Sequence, residues 1–129
     1  VNSDSPFLNA KLISDGFSFL NEHKECDLYT NLYPRSFPYG YAVEVFNAKT
    51  FINAIDTNPE LENISTYFYK NAHLFKIHNI TNPLGDYTKL QLTVDTPGDL
   101  EHIRNLYNTN SNLFNLNLQE LETLINKTT

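Results

Sequence analysis

The spacing of hydrophobic positions changes several times along the chain, and each change predicts a new element. Helical spacing is found in five segments, which cover residues 9–22, 48–55, 60–70, 96–107 and 117–125. Alternating or compact apolar runs predict short strands in five others, which are 1–3, 27–32, 41–46, 74–80 and 89–95. Strands that alternate with helices favour an α/β layered fold with a largely parallel sheet.

The start of the fourth helix is the strongest local signal in the sequence. Thr96 can cap the helix, and Pro97 suits its first turn. Asp99 is three residues after the cap, the position whose side chain accepts a hydrogen bond from the N–H of the cap residue in a capping box. The segment before it, 89–95, alternates apolar and polar residues and is the clearest predicted strand. The pattern therefore places Asp95 at a junction between a strand and a helix.

Residues 33–46 contain an aromatic segment whose first part cannot be regular structure. Two prolines and a glycine interrupt it, and four rings make it apolar; these are Tyr33, Phe37, Tyr39 and Tyr41. Because a monomer rarely leaves such a patch in water, and because Arg35 is a common polar companion at interfaces, we expect a homodimer formed through this segment. The alternative is that the rings fold back over the chain's own sheet.

Composition limits the classes of protein to which the chain can belong. Its 129 residues are 40% hydrophobic and 19% charged, which predicts one folded domain spanning 1–129. A net charge of -6, with 9 basic against 15 acidic residues, argues against nucleic-acid binding. No apolar run is long enough to cross a membrane, and the first residues do not form a secretion signal. With a single cysteine, the expected location is the cytoplasm.

Two aspartates follow apparent strands and are the main candidates for chemistry. Ligands of open α/β sheets bind at the carboxyl ends of the strands, and a carboxylate there can hold Mg²⁺ against phosphates. Asp95 fits that position, although it can also be an acid that merely precedes a capped helix. Asp4, taken alone, is more typical of a turn. Together, the two aspartates indicate a metal site more strongly than either residue does alone.

Three segments together resemble one family of enzymes. Residues 4–8 resemble the Asp-Cys-Pro-Leu segment of cytidylyltransferases that activate acidic sugars. Residues 33–46 resemble the Tyr-Pro-x-Gly-x-x-Val-Glu-Val-Phe stretch of that family, and residues 92–100 its Thr-Val-Asp-Thr-Pro-Glu-Asp-Leu signature. The chain is most similar to the spore coat polysaccharide biosynthesis type, with acylneuraminate and 3-deoxy-manno-octulosonate cytidylyltransferases as relatives.

The resemblance implies a fold and a reaction. The fold would be a three-layer α/β/α, Rossmann-like, nucleotide-diphospho-sugar transferase-like fold with a mixed, mostly parallel sheet. Asp4 and Asp95 would hold the catalytic Mg²⁺. The substrates would be CTP and an acidic or other sugar, whose hydroxyl attacks the α-phosphate of CTP. Pyrophosphate would leave, and the CMP-sugar would serve surface polysaccharide biosynthesis.

Six further residues are candidates for substrate contact, some from the resemblance and some from their position in the chain. The full set is Arg35, Tyr39, Glu44, Asn63, Tyr67 and Gln91. Asn63 and Tyr67 align with a sugar-contacting His and Tyr, while Gln91 stands where the family has an Arg. Glu44 would face the sugar or the solvent. Arg35 would pair with a sugar carboxylate or with a carboxylate across a dimer interface.

One family feature has no counterpart in these 129 residues, and it leaves the enzymatic role open. Family members begin with a nucleotide-binding half that carries a basic phosphate loop, whereas this chain, with 4 glycines, contains no such loop. The sequence therefore resembles the C-terminal half of the enzyme. Two alternatives stay open: a non-catalytic sugar-binding or dimerisation module derived from the same fold, and a sugar nucleotidyltransferase that uses another base.

Overall fold

The computed structural model describes residues 2–128, which form a mixed α/β fold of five α-helices and three short strands. The helices are α1 (Ala10–Glu22), α2 (Ala48–Thr57), α3 (Ile64–Lys70), α4 (Pro97–Thr109) and α5 (Leu118–Thr128). The strands are β1 (Leu28–Thr30), β2 (Glu44–Phe46) and β3 (Ile77–Asn79). Short 3₁₀ turns occupy Ala72–Leu74 and Leu113–Asn115.

The chain divides into two compact units, which we describe separately. The sheet unit comprises residues 9–35 and 42–81 and contains all three strands. The helical unit comprises residues 36–41 and 82–128 together with the first residues of the chain up to Leu8. One domain spanning 1–129 stays a prediction.

The sheet has the order β2-β1-β3 and is mixed. β1 pairs antiparallel with β2 and parallel with β3, so one of the two strand pairs is parallel. Every residue of β1 is buried, as expected of a central strand. The register places Glu44 of β2 and Asn79 of β3 on either side of Thr30, at the carboxyl end of β1.

Helix α1 packs closely against this sheet, as its apolar stripe predicts. Asn9 caps the helix by accepting a hydrogen bond from the N–H of Lys11 at 2.8 Å. A Cβ atom on Gly16 would lie 2.8 Å from side-chain atoms of both Tyr29 and Val45. The absence of a side chain at position 16 is therefore what allows the helix to approach the strands.

The remaining core of the sheet unit is built around α3. Phe68 and Leu28 are fully buried and form a cluster with Ala54. The helix begins at Ile64, capped by Asn63, and not at residue 60 as predicted. The asparagine side chain accepts from the N–H of Thr66 at 2.9 Å and so fixes the first turn.

Capping boxes start both helices of the helical unit. Thr96 Oγ1 accepts from the N–H of Asp99 at 3.2 Å, and Asp99 Oδ2 accepts from the N–H of Thr96 at 2.8 Å. Asn117 and Glu120 make the same exchange at 2.9 and 2.8 Å before α5. Both starts are confirmed, because short polar side chains at these spacings satisfy the free N–H groups of a first turn.

Two predicted strands are absent from the part of the chain that the structure describes. Residues 89–95 form only a single parallel bridge, between Gln91 and Tyr39. Gly40, at φ 98, makes this bridge possible, because a Cβ there would lie 2.9 Å from the carbonyl oxygen of Leu92. Residues 3–4 form a turn, as polar residues favour, while Val1 lies outside the described residues.

The aromatic segment is divided between exposed and buried rings. Phe37 and Tyr41 are each 5% exposed and stack with centroids 6.5 Å apart. Tyr33 and Tyr39 remain 45% and 56% exposed. The expectation of four rings on one exposed patch is therefore wrong for two of them, whose apolar area is removed from water inside the molecule.

No helix within residues 2–128 combines the length and the apolar character that a membrane crossing requires.

Candidate functional site

The helical unit brings the two candidate aspartates close along the backbone. The N–H of Val94 donates a hydrogen bond to the carbonyl oxygen of Asp4 at 2.8 Å, and Asp95 follows directly. Asp4 occupies a turn instead of the end of a strand. The contact between the segments that carry the two residues thus exists, although the strand context predicted for Asp4 is wrong.

Neutral donors orient the carboxylate of Asp95. Its Oδ2 accepts from Thr93 Oγ1 at 2.8 Å and from Gln91 Nε2 at 3.0 Å. In an extended segment, alternate side chains point to the same side, which brings residues 91, 93 and 95 together. The N–H of Asp95 donates to Asp99 Oδ2 at 3.0 Å, so the capping box of α4 fixes its backbone as well.

Hydrogen bonds also hold the pKa of Asp99 down. The Thr96 side chain and the backbone N–H groups of Asp95 and Thr96 lower the pKa of this carboxyl from its usual value. The carboxylate that anchors the turn therefore stays ionised at neutral pH.

The donor set around Asp4 and Asp95 fits a hard divalent cation. Within residues 2–128, no lysine, arginine or histidine nitrogen forms an ion pair with either carboxylate. Asp4 Oδ1 accepts from Ser5 Oγ at 2.9 Å, and its other oxygen can take a ligand. The described residues contain no cluster of three or more metal-ligating side chains. Mg²⁺ commonly binds one or two carboxylates and completes its shell with water and substrate phosphates.

An apolar cavity of about 620 Å³ borders this region within the helical unit. Its wall includes Val94 and several side chains of α4 and the residues after it; these are Leu100, Ile103, Tyr107 and Phe114. Leu100 is 39% exposed and Tyr107 is 46% exposed. Helical spacing predicts a buried stripe on α4, made of Leu100, Ile103, Leu106 and Tyr107. This prediction is only partly correct, since Leu106 alone is buried in that helix.

The sheet unit contains a second polar cluster, centred on Glu44. Both carboxylate oxygens accept hydrogen bonds from α3: Oε1 from Ser65 Oγ at 2.9 Å and Oε2 from Tyr69 at 2.6 Å. Ser65 and Tyr69 are four residues apart and therefore lie on the same face of the helix. We call Glu44, Ser65, Tyr69 and Thr30 the Glu44 cluster.

Thr30 extends the cluster into the buried sheet. Tyr69 donates its only proton to Glu44, so its oxygen accepts from Thr30 Oγ1 at 2.9 Å. Thr30 Oγ1 accepts in turn from the N–H of Leu32 at 3.1 Å. Burial, together with the hydrogen bond to Glu44, raises the pKa of the Tyr69 hydroxyl well above its usual value. Tyr69 consequently remains a donor at every physiological pH.

The loop after β1 lies over this cluster. The ring of Tyr33 stacks on that of Tyr69, with centroids 5.2 Å apart and planes inclined by 15°. Asn79 fixes the loop by accepting from the N–H of Tyr33 at 2.8 Å and donating to the carbonyl of Pro34 at 3.1 Å. An exposed aromatic ring is thereby held next to a half-buried carboxylate.

The other predicted substrate residues occupy varied positions. Tyr67 is half buried in the core, edge-on to Phe68 and Phe75, and Asn63 uses its side-chain oxygen as the cap of α3. Arg35 is half buried in the sheet unit, and Tyr39 lies in the helical unit, bridged to Gln91. Substrate contact by these residues stays a prediction.

Sequence reasoning missed Ser65 and Tyr69. The available signal was their i, i+4 spacing, which is offset from that of the half-buried Ile64 and the buried Phe68.

Comparison with known proteins shows a structural neighbour that shares the fold of this chain. No protein-family model matches it, and neither does any curated protein sequence. It is similar to the solved structure of a cytidylyltransferase from Leptospira borgpetersenii serovar Hardjo-bovis (strain JB197), with a TM-score of 0.80 and 24% sequence identity. The match covers 97% of this chain and 53% of that protein, so the chain spans about half its length.

The predicted fold class is therefore confirmed. The chain has a mixed α/β fold that it shares with that cytidylyltransferase, and its sheet is mixed as predicted, with one parallel and one antiparallel strand pair. Because the likeness concerns backbone geometry, the chemistry must be argued from the residues themselves.

Proposed function

We propose that this chain is part of a metal-dependent cytidylyltransferase that forms a CMP-sugar, and that it contributes metal-binding and sugar-binding residues. The observation that carries the proposal is the backbone contact between Asp4 and Val94, which brings the segments of the two motif aspartates together. The fold shared with a cytidylyltransferase supports it. We further propose that the protein acts as a cytoplasmic homodimer in surface polysaccharide biosynthesis.

The proposed reaction is a nucleotidyl transfer. An oxygen of a sugar hydroxyl bonds to the α-phosphorus of CTP, the bond from that phosphorus to the bridging oxygen breaks, and pyrophosphate leaves. The hydroxyl proton passes to solvent or to a base. The resemblance in sequence points to an acidic sugar as acceptor. Such transfers depend mainly on positioning and on neutralising charge.

The proposed role of Asp4 and Asp95 is to hold Mg²⁺, which supplies charge neutralisation for the phosphates. The chain's own contribution is orientation. Gln91 and Thr93 fix the Asp95 carboxylate, and the capping box of α4 fixes its backbone. These donors are neutral, so the negative charge that attracts the cation is retained.

The test is pyrophosphate release by the natural polypeptide that carries these residues. It would be incubated with CTP, Mg²⁺ and a panel of acidic and neutral sugars. We expect sugar-dependent release that falls at least about a hundredfold in Asp95→Asn, as expected when charge stabilisation is removed. Asp56→Asn, an exposed acid on α2, is the matched control and should leave release unchanged. Unaltered release by Asp95→Asn would contradict the proposal.

A second candidate function is a sugar-binding module without catalysis. The favouring observation is Gln91, which binds Asp95 as a neutral amide where the resembling enzymes have a fixed positive charge. If the protein binds a sugar but releases no pyrophosphate in any of these assays, the result would support a sugar-binding module without catalysis.

A further inference from the structure

The Glu44 cluster combines a strongly fixed carboxylate with unused acceptor capacity. An ionised carboxylate offers about four lone-pair sites. Ser65 and Tyr69 fill one on each oxygen of Glu44. One acceptor site on each oxygen therefore remains, which gives the carboxylate a pair of unused sites.

The network behind Glu44 keeps that pair in a single orientation. Hydrogen bonds run from the N–H of Leu32 to Thr30, from Thr30 to Tyr69 and from Tyr69 to Glu44. Each group donates to the next, so the bonds polarise and strengthen one another. Thr30 is completely buried, so the chain of donors is anchored in the sheet.

The chemistry of the cluster favours a neutral donor over an anion. A carboxylate attracts O–H groups and repels phosphates and carboxylates. Two lone pairs on neighbouring oxygens match two hydroxyls on adjacent carbons. The ring of Tyr33, 45% exposed and stacked on Tyr69, offers an apolar face beside them. A pyranose presents the complementary pattern, which is an apolar face of the sugar ring next to two adjacent hydroxyl groups.

We propose that the Glu44 cluster binds adjacent hydroxyls on the uncharged face of a sugar, with Tyr69 as the residue that positions Glu44 and Tyr33 as the stacking surface. This inference rests on the proposed function, because it names the part of the proposed sugar substrate that the sheet unit recognises. The cluster lies wholly within the sheet unit, so the proposal can be tested by binding alone.

The experiment is a titration of the ¹⁵N-labelled chain with neutral hexoses, followed by ¹H–¹⁵N NMR. The probes are D-glucose, D-galactose and D-mannose, each paired with its fully O-methylated methyl glycoside, which cannot donate a hydrogen bond. We expect shifts confined to amides near residues 30–34, 44 and 65–69 for at least one hexose, with a dissociation constant of about 1–10 mM. The methylated partner should bind at least about tenfold more weakly.

Three variants and one control variant separate binding from folding. Glu44→Gln and Tyr33→Ala should each weaken binding about tenfold or more, whereas Glu62→Gln, an exposed acid just before α3, should not. Tyr69→Phe should weaken binding although its ring remains, because Glu44 then loses its strongest donor. Since Tyr33 is exposed, its variant stays informative even if Glu44→Gln unfolds.

Three results would overturn the proposal. They are the absence of any hexose-dependent shift near the cluster, equal binding of a hexose and its methylated form, and full binding by folded Tyr33→Ala. None of them affects pyrophosphate release or its loss in Asp95→Asn, so failure here is distinguishable from failure of the proposed function.

Discussion

The backbone N–H of Val94 donates a hydrogen bond to the carbonyl oxygen of Asp4, with 2.8 Å between nitrogen and oxygen. The two residues are far apart in sequence, yet this bond ties the turn that carries Asp4 to the segment that carries Asp95. Folding thus brings together the two segments that would supply the carboxylates of such a metal site.

The first prediction concerns the affinity of that site for a divalent cation. Replacing either carboxylate, in Asp4→Asn or Asp95→Asn, removes a charged ligand and should weaken Mn²⁺ binding at least about tenfold. Isothermal titration calorimetry of the chain measures this, with Asp56→Asn as the control. Equal affinity in wild type and both variants would show that the cation binds elsewhere.

The second prediction concerns the close approach of α1 to the sheet. Gly16→Ala should lower the free energy of unfolding by about 1 kcal/mol or more, since overpacking exceeds the gain in helix propensity. Gly98→Ala is the matched control, because its new Cβ would lie 3.7 Å from Thr96 Oγ1. That variant should be more stable by about 0.5–1 kcal/mol. Urea unfolding of both variants checks the pair, and a stabilised Gly16→Ala would refute the packing argument.

The third prediction follows from the raised pKa of Tyr69. As pH rises above about 10, the unfolded chain loses this phenolic proton while the folded chain keeps it. The contribution of Tyr69 to stability is therefore complete below about pH 10 and declines above it. Wild type should be more stable than Tyr69→Phe at pH 8 by about 1–3 kcal/mol.

Urea unfolding of both proteins from about pH 8 to about pH 11 gives the comparison for Tyr69. The difference between them should shrink toward the alkaline end. A difference that stays constant or widens would mean that the Tyr69 hydroxyl does not have a raised pKa in the folded state.

The fourth prediction concerns self-association through the aromatic segment. Phe37 is buried, so its replacement would damage the fold, and the exposed rings Tyr33 and Tyr39 are the appropriate sites. We expect wild type to sediment as a dimer at about ten micromolar and above, and Tyr33→Ser with Tyr39→Ser to shift it to monomer. Tyr107→Ser, also exposed but outside the segment, should leave the dimer intact. A monomeric wild type would exclude this interface.

Local signals in the sequence were sufficient where a few neighbouring residues decide the structure. The capping box of Thr96 and Asp99 predicted the start of α4, because both partners lie within one turn. The alternation in 41–46 predicts that Tyr41, Val43 and Val45 share one face of the strand, and all three are buried. These inferences need no knowledge of distant contacts.

Distant partners determined the features that the sequence did not predict. Residues 89–95 alternate like a strand, but their backbone N–H groups bond to the carbonyl oxygens of three separate residues instead of one neighbouring strand; these are Tyr87, Tyr39 and Asp4. Tyr69 was overlooked because its importance comes from Glu44, twenty-five positions earlier in the chain. Tyr67 was chosen from the resemblance; its half-buried ring packs against the core, and its contact with a substrate stays a prediction.

The most direct test of the central claim is the location of Mn²⁺ in crystals of the chain, determined by anomalous scattering. We expect one peak bonded to carboxylate oxygens of both Asp4 and Asp95, at distances close to the ~2.1 Å typical of Mg²⁺. Carboxylates separated by more than roughly 8 Å could not share one ion at such bond lengths. That separation, or a peak held by other residues, would contradict a metal site shared by Asp4 and Asp95.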